Sequence, residues 1–175
     1  MTKFINPSSV VAEMGLRKGQ TVADLGCGSG FYVLPAAQLV GDSGQVYAVD
    51  IQESKLAATM SAARQYGLKN VQILKADLDQ PALELPEGSC DAVIMASILH
   101  EISSRDMLLK NAYRILKTGG KVLAVEWKKE ITPIGPAMEV RISKDELEKL
   151  LNSKGLYKDK DIHADSYHYA MVFVK

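Results

Sequence analysis

The sequence has few of the residues that by themselves indicate a metal site, a disulfide scaffold or a membrane anchor. Its two cysteines, Cys27 and Cys90, lie far apart and have neither metal-ligand spacing nor a disulfide framework. We therefore expect reduced thiols in a cytoplasmic protein, with no bound metal. The N-terminal MTKFINPSSVV lacks the apolar core of a signal peptide, and the apolar run AVIMASIL is too short to span a bilayer.

The chain also lacks an excess of charge of either sign, because 21 basic residues offset 21 acidic ones. A protein that binds nucleic acid or anionic lipid over a broad surface needs an excess of positive charge. We therefore expect no nucleic-acid partner, although a local basic patch stays open as an alternative. With 47% hydrophobic and 24% charged residues, the 175-residue chain can fill one core, so we expect a single domain.

Short β-prone runs alternate with helical patterns, and this alternation predicts an α/β fold with a doubly wound, mostly parallel sheet. The last two runs are close enough to form a C-terminal hairpin that adds an antiparallel strand to make seven. The expected strands are 21–25, 45–49, 71–76, 91–96, 121–127, about 157–163 and 168–174, with a turn at 118–120. The expected helices are 7–14, about 32–40, 53–66, 104–116 and one from 143 to about 154.

A glycine-rich loop, VADLGCGSGFY at residues 22–32, follows the first expected strand, where open α/β sheets bind ligands. The dinucleotide fingerprint requires a small residue where Phe31 stands, and a carboxylate at Asp24 repels a pyrophosphate. The pattern therefore disfavours an NAD-type oxidoreductase. It favours a ligand with a positive group near Asp24, with Asp50 placed for two ribose hydroxyls and Asp77 for an adenine amino group.

Five segments resemble the motifs of the class I S-adenosylmethionine-dependent methyltransferases, in the family's order and at the ends of the expected strands. They are VADLGCGSG (22–30), VYAVDI (46–51), KADL (75–78), CDAVIMASILHEI (90–102) and LKTGGKVLAVEW (116–127). Within the family, the chain is most similar to the small-molecule branch that includes ubiquinone-type C-methyltransferases. The resemblance implies a Rossmann-like fold, S-adenosyl-L-methionine as cofactor, and methyl transfer to a small or medium organic acceptor.

The resemblance also implies roles for individual residues around the cofactor. Asp24 reaches toward the cofactor's amino group, and Asp50 holds its ribose. The other implied cofactor-binding positions are the loop under the methionine part and ribose (Gly26, Cys27 and Gly28), a side chain packing on adenine (Ile51), the pair at the adenine edge (Asp77 and Leu78) and the backbone beside the sulfonium (Ala96).

His100, just after the fourth strand, is the candidate catalytic base, with Glu101 beside it. The alternative role for His100 is to order the start of the following helix. Glu126 and Lys128 at the end of the fifth strand, and Arg141 in the following loop, either face the acceptor or form a salt-linked surface.

Aromatic side chains near the end of the chain leave further alternatives open. Trp127 either packs at a strand end or presents its ring face to the sulfonium. The cluster at residues 167–169 either lines the acceptor pocket or is a plain hairpin turn. Residues 1–19 form a short N-terminal segment, so the pocket is open, closed by residues 3–7 as a lid, or completed by a second subunit in a homodimer.

Departures from other branches of the family narrow the chemistry. Ala96-Ser97 stands where amino-methylating nucleic-acid enzymes carry an Asp/Asn-Pro-Pro-aromatic motif, and where a magnesium-dependent catechol-type site has an acid. The main rival of an enzyme is a non-catalytic S-adenosylmethionine-binding module or partner subunit. A short chain without a substrate cap can hold the cofactor without transferring its methyl group.

Overall fold

Seven strands form one sheet in the computed structural model, which describes residues 4–81 and 83–175. They are β1 (Thr21–Leu25), β2 (Gln45–Asp50), β3 (Val71–Lys75), β4 (Cys90–Ala96), β5 (Leu116–Trp127), β6 (Tyr157–Ile162) and β7 (His168–Val174). The order across the sheet is β3-β2-β1-β4-β5-β7-β6. Strands β1 to β5 are parallel, and β7 is antiparallel to both of its neighbours. The predicted doubly wound α/β sheet with a C-terminal hairpin is confirmed.

Helices cover both faces of the sheet. In chain order they are α1 (Pro7–Met14), α2 (Val33–Val40), α3 (Glu53–Gln65), α4 (Arg105–Ile115) and α5 (Lys144–Asn152), with a 3₁₀ turn at Met138–Val140. The Asn6 side chain accepts hydrogen bonds from the first turn of α1, and Ser143 with Glu146 forms the capping box that begins α5. Of the helices in the described ranges, none is long and apolar enough to cross a membrane.

The centre of the sheet is buried on both faces, which explains why the sequence of β4 is almost continuously apolar. Ile94 and Met95 are neighbours in β4 and are both fully buried. Ile94 packs with residues of α1 to α3 on one face, whereas Met95 packs with residues of α4 and α5 on the other. Successive side chains of a strand point to opposite faces, so a strand covered on both sides is apolar at every position.

The main difference from the expected elements is the start of β5. A turn was expected at 118–120, but β5 begins at Leu116, directly after α4. The end of the chain explains the difference, because the Gly119 N–H donates to the Lys175 carbonyl and the Lys175 N–H donates to the Gly120 carbonyl. Pairing with a distant segment therefore draws a glycine pair into the sheet.

The strand order reverses between β1 and β4, because the chain builds β2 and β3 on one side of β1 and the later strands on the other. At such a switch point the loops after neighbouring strands diverge and leave a crevice at the carboxyl ends. The glycine loop after β1, the end of β2 and the end of β4 border this crevice.

Candidate functional site

A cavity of about 860 Å³ lies at the carboxyl ends of β1, β2 and β4. All nine residues predicted to bind the cofactor line it, and they come from four separate segments of the chain. They are Asp24, Gly26, Cys27, Gly28, Asp50, Ile51, Asp77, Leu78 and Ala96. Parallel strands end at the same edge of a sheet, so carboxylates that end neighbouring strands meet there.

Asp24 is the most unusual group in the cavity. Its side chain is 1% exposed, and neither carboxyl oxygen has a hydrogen-bond partner within residues 4–81 and 83–175. Burial, followed by the nearby charge of Asp50, raises the pKa of Asp24 to about 8. A buried carboxyl without a partner destabilises the fold. Its position therefore fits a ligand that brings a cationic or hydrogen-bond-donating group, as the amino group of S-adenosylmethionine does.

Asp50 ends β2 and is held in one orientation by the backbone. Its Oδ2 accepts a hydrogen bond of 2.9 Å from the Gly28 N–H, and its Oδ1 accepts one of 2.9 Å from the Gln52 N–H. Each carboxylate oxygen can accept more than one hydrogen bond. Both oxygens thus keep the capacity to accept from two adjacent hydroxyls, as in a ribose.

The glycine loop is fixed to the neighbouring strand and cannot carry side chains at its first glycine. The N–H groups of Gly26 and Cys27 both donate to the Val49 carbonyl, at 2.8 and 2.9 Å. Gly26 has φ 79°, and a Cβ there would lie 2.7 Å from Ile98 Cδ1. Glycine is therefore required by backbone conformation and by space, and bare main chain faces the cavity.

Helix α3 supports the same loop through a residue that the sequence analysis missed. Thr59 is fully buried, and its hydroxyl donates a hydrogen bond of 2.9 Å to the Gly28 carbonyl. Gly30 leaves room for this contact, since a Cβ there would lie 2.9 Å from the Thr59 methyl carbon. Only the helical spacing of small and apolar residues on α3 hinted at a buried position here.

At the far end of the cavity, Ile51 and Leu78 provide an apolar lining with a carboxylate beside it. Ile51 is 54% exposed although it is a large apolar residue, while Leu78 is buried. Asp77 accepts a hydrogen bond of 2.9 Å from the Asp79 N–H through Oδ1. An exposed isoleucine next to a buried leucine fits a flat, apolar ring such as adenine.

His100 does not belong to the cavity lining. Its Nδ1 lies 2.9 Å from Oε2 of Glu126, which is 0% exposed. The other oxygen of Glu126 accepts a hydrogen bond of 2.8 Å from the Leu99 N–H. The pair joins the end of β5 to the segment between β4 and α4, which is an arrangement that orders this segment. The catalytic role of His100 stays a prediction.

The interpretation of Glu126 and Arg141 as a salt-linked surface is wrong, because both side chains are buried. The guanidinium of Arg141 donates hydrogen bonds to four carbonyls of the loop after β5, those of Lys128, Glu130, Ile134 and Pro136. It thereby holds that loop in shape. Sequence distance hid the contacts of Glu126, whose partners lie 26 or more residues away.

Trp127 at the end of β5 and the aromatic residues His168 and Tyr169 of β7 lie outside the cavity lining. The rings of Trp127 and His168 lie 4.0 Å apart between centroids, and His168 Nδ1 lies 2.9 Å from Asp165. The Tyr169 hydroxyl donates to the Ile142 carbonyl. Of the N-terminal segment, Ile5 and Pro7 line the cavity; the proposed lid also includes Lys3, which lies outside the described residues.

Comparisons with known proteins agree with this geometry. Residues 22–120, more than half of the chain, match the family model described as a methyltransferase domain. The ubiquinone/menaquinone biosynthesis C-methyltransferase UbiE of Escherichia coli O1:K1 / APEC is 36% identical over 118 residues, which are 67% of this chain and 46% of that protein. The chain thus spans about half the length of the curated relatives it matches.

Solved structures cover nearly the whole chain. A SAM-dependent methyltransferase from Aquifex aeolicus has a TM-score of 0.88 and 31% identity, over 97% of this chain and 89% of that one. The phosphoethanolamine N-methyltransferase 2 of Haemonchus contortus, solved with S-adenosyl-L-methionine, shares the fold at 16% identity, with a TM-score of 0.78 over 97% of this chain and 52% of that one. The chain belongs to the class I S-adenosylmethionine-dependent methyltransferases. The cofactor of this family is S-adenosyl-L-methionine.

Proposed function

We propose that this chain binds S-adenosylmethionine in the cavity at the switch point and transfers its methyl group to a small or medium organic acceptor. The observation that carries the proposal is Asp24, a buried carboxyl with no partner among the described residues, located directly before the glycine loop. When bound, the cofactor supplies a methyl group on a positively charged sulfur, which is the reactive part of the chemistry.

The residues of the chain bind and orient the cofactor in this proposal. Asp50 accepts hydrogen bonds from the ribose, and Asp24 meets the amino group. Ile51 and Leu78 pack on adenine, with Asp77 at its edge. The bare backbone of the glycine loop and the end of β4 at Ala96 leave space for the methionine part, as expected where a ligand approaches main chain closely.

The acceptor enters through the side of the cavity that these residues do not occupy. The cavity lining also includes apolar and aromatic residues that are not assigned to the cofactor, namely Ile5, Phe31, Tyr32, Ile98 and Ile102. Apolar walls exclude water and hold an organic acceptor against the methyl group, and such positioning can lower a barrier by several kcal/mol. The relative UbiE is a C-methyltransferase of ubiquinone and menaquinone biosynthesis, which supports a small organic acceptor here.

A second function, a cofactor-binding module without turnover, is favoured by one specific observation. His100, the candidate base, lies outside the cavity lining with its Nδ1 directed to Glu126. In the enzyme proposal His100 stays the predicted base, and its contact with Glu126 supports the alternative that it orders the segment after β4. The homodimer stays a prediction, which light scattering tests. The cytoplasmic location also stays a prediction, and the two free cysteines support it.

Calorimetric titration with S-adenosylhomocysteine tests the cofactor site. We expect saturable binding to the unmodified chain, no binding of NAD, and a loss of more than about tenfold in affinity for Asp50→Ala, because hydrogen bonds to a charged group contribute about 1.5–3 kcal/mol each. Asp42→Ala, an exposed acid in the turn before β2, is the matched control. Product release from S-adenosylmethionine with a metabolite panel distinguishes the enzyme from the module, which binds without turnover.

A further inference from the structure

The cavity is strongly acidic although the chain as a whole is neutral. Among the described residues that line it, five carry carboxyl groups and one, Lys55, is basic, whereas the whole chain has 21 residues of each sign. The acidic residues are Asp24, Asp50, Asp77, Asp79 and Glu101. A cavity of this composition repels anions and attracts hydrogen-bond donors and cations.

Four of the five carboxyl groups already have an assigned partner or role. Asp24 and Asp50 are assigned to the cofactor, and Asp77 is assigned to adenine and accepts the Asp79 N–H. Asp79 accepts hydrogen bonds from the backbone N–H groups of two serines just before α4, Ser103 and Ser104. The remaining carboxyl group, Glu101, has a side chain that is 66% exposed.

Glu101 is held on a tight turn at the acceptor side of the cavity. The N–H groups of Glu101 and Ile102 both donate to the Ile98 carbonyl, at 3.0 and 3.1 Å. Within the described residues, the ionisable neighbour of the Glu101 carboxyl is His100, whose Nε2 lies 3.7 Å from Oε1. That separation is too long for a hydrogen bond. The buried side chain of Glu126 contacts His100 and so links this turn to the protein interior.

Apolar side chains line the same cavity as Glu101. Ile98 lies over Gly26 and so joins the cofactor loop to the acceptor side. Ile102 follows Glu101 directly, and Phe31 is 73% exposed although it borders the cavity. An exposed phenylalanine at the mouth of a cavity is a common feature of ligand sites. The wall therefore matches a molecule with an apolar body and one polar group.

We propose that Glu101 is the specificity-determining residue of the acceptor site. It accepts a hydrogen bond from a hydroxyl or ammonium group of an acceptor whose apolar body packs on Ile98, Ile102 and Phe31, and negatively charged acceptors are rejected. This inference rests on the proposed function, because it places the acceptor beside a bound cofactor.

Three probes that share a phenyl ring and differ in their polar group test the inference: benzylamine, benzyl alcohol and benzoate. Each is titrated into the chain saturated with S-adenosylhomocysteine, and the methyl NMR signals of Ile98 and Ile102 report binding, with Ile115 in the core as the remote reference. We expect benzylamine and benzyl alcohol to bind and benzoate to bind roughly tenfold more weakly or not at all. The ratio of benzylamine to benzyl alcohol affinity tells whether an ammonium or a hydroxyl is preferred.

Glu101→Gln removes the charge and keeps an acceptor oxygen. We expect benzylamine to weaken by about threefold, the size typical of one partly exposed ion pair, while benzoate gains affinity and benzyl alcohol changes little. Glu87→Gln, an exposed acid far from the cavity, is the control and should leave all three affinities unchanged.

The results also separate this inference from the proposed function. Provided that S-adenosylhomocysteine still binds, any of three outcomes overturns the role of Glu101. Benzoate binds with the same affinity as benzylamine, the order of the three affinities is unchanged in Glu101→Gln, or no probe shows saturable binding. Failure of the unmodified chain to bind S-adenosylhomocysteine overturns both.

Discussion

Asp24→Asn is expected to stabilise the ligand-free chain and to weaken cofactor binding at the same time. The substitution keeps the shape of the side chain but removes a buried carboxyl whose oxygens have no partner among the described residues. Natural proteins leave buried polar groups without partners mainly at functional or strained sites. Opposite effects on stability and on binding therefore distinguish a ligand-binding carboxyl from a structural one.

The size of the effect follows from the pKa of Asp24, which burial raises from its ordinary value of 3.8 to about 8. Each pKa unit corresponds to about 1.4 kcal/mol, so ionisation at high pH costs the fold up to about 6 kcal/mol. An asparagine without partners still costs about 1–3 kcal/mol in the same place. We therefore expect Asp24→Asn to raise the free energy of unfolding by about 3 kcal/mol at pH 8.

The sign of the pH dependence is fixed by the direction of the shift. A pKa that is higher in the native than in the unfolded state gives stability that is fully present below about pH 4 and is lost as pH rises through about 8. Urea unfolding at pH 5 and pH 8 measures this. The unmodified chain should lose more stability over that interval than Asp24→Asn. Equal losses, or a variant that is less stable at pH 8, would refute the reasoning.

Binding of two ligands completes the test. We expect Asp24→Asn to weaken S-adenosylhomocysteine binding by about tenfold, from the loss of one charged hydrogen bond. Binding of 5′-methylthioadenosine, which has the nucleoside without the amino-acid tail, should not change. Equal weakening of both ligands would show that Asp24 does not meet the amino group.

Three further predictions concern the same site. Gly26→Ala should destabilise the fold by about 1–3 kcal/mol and abolish S-adenosylhomocysteine binding, because its Cβ would meet Ile98. The control Gly88→Ala has a similar φ but lies in open space, so it should cost only the backbone strain. Equal losses of stability in the two variants, measured by chemical denaturation, would contradict this prediction. Thr59→Val should cost about 1–3 kcal/mol by leaving a buried loop carbonyl unpaired, and an unchanged urea midpoint would contradict it. Cofactor binding should release close to one proton at pH 7, since Asp24 gives up its proton when it meets an ammonium group. The affinity for the cofactor should therefore rise from pH 6 to pH 8. Calorimetry in buffers of different ionisation enthalpy measures the number of protons released.

Much of the site could be predicted from sequence because its carboxylates are local features of strand ends. The run before Asp24 and the run before Asp50 each read as a strand, and parallel strands in this order must bring their ends together. The capping box at Ser143 was likewise predictable, since both partners lie within four residues.

The rest depends on contacts between distant segments, which no local pattern encodes. The partner of His100 is Glu126, which lies on β5. A glutamate near the end of a β-prone run is as typical of an exposed position as of a buried pair. The start of β5 depends on Lys175 at the other end of the chain. Glu101 became a candidate only when the other acids of the cavity had been assigned to their partners.

The central claim is that the carboxylate of Asp50 holds the ribose of the cofactor while Asp24 meets its amino group. A crystal structure of the chain with S-adenosylhomocysteine tests this most directly. It should show both ribose hydroxyls within hydrogen-bonding distance of Asp50 and the amino group beside Asp24. A nucleoside bound elsewhere, or a ribose directed away from the end of β2, would contradict the account.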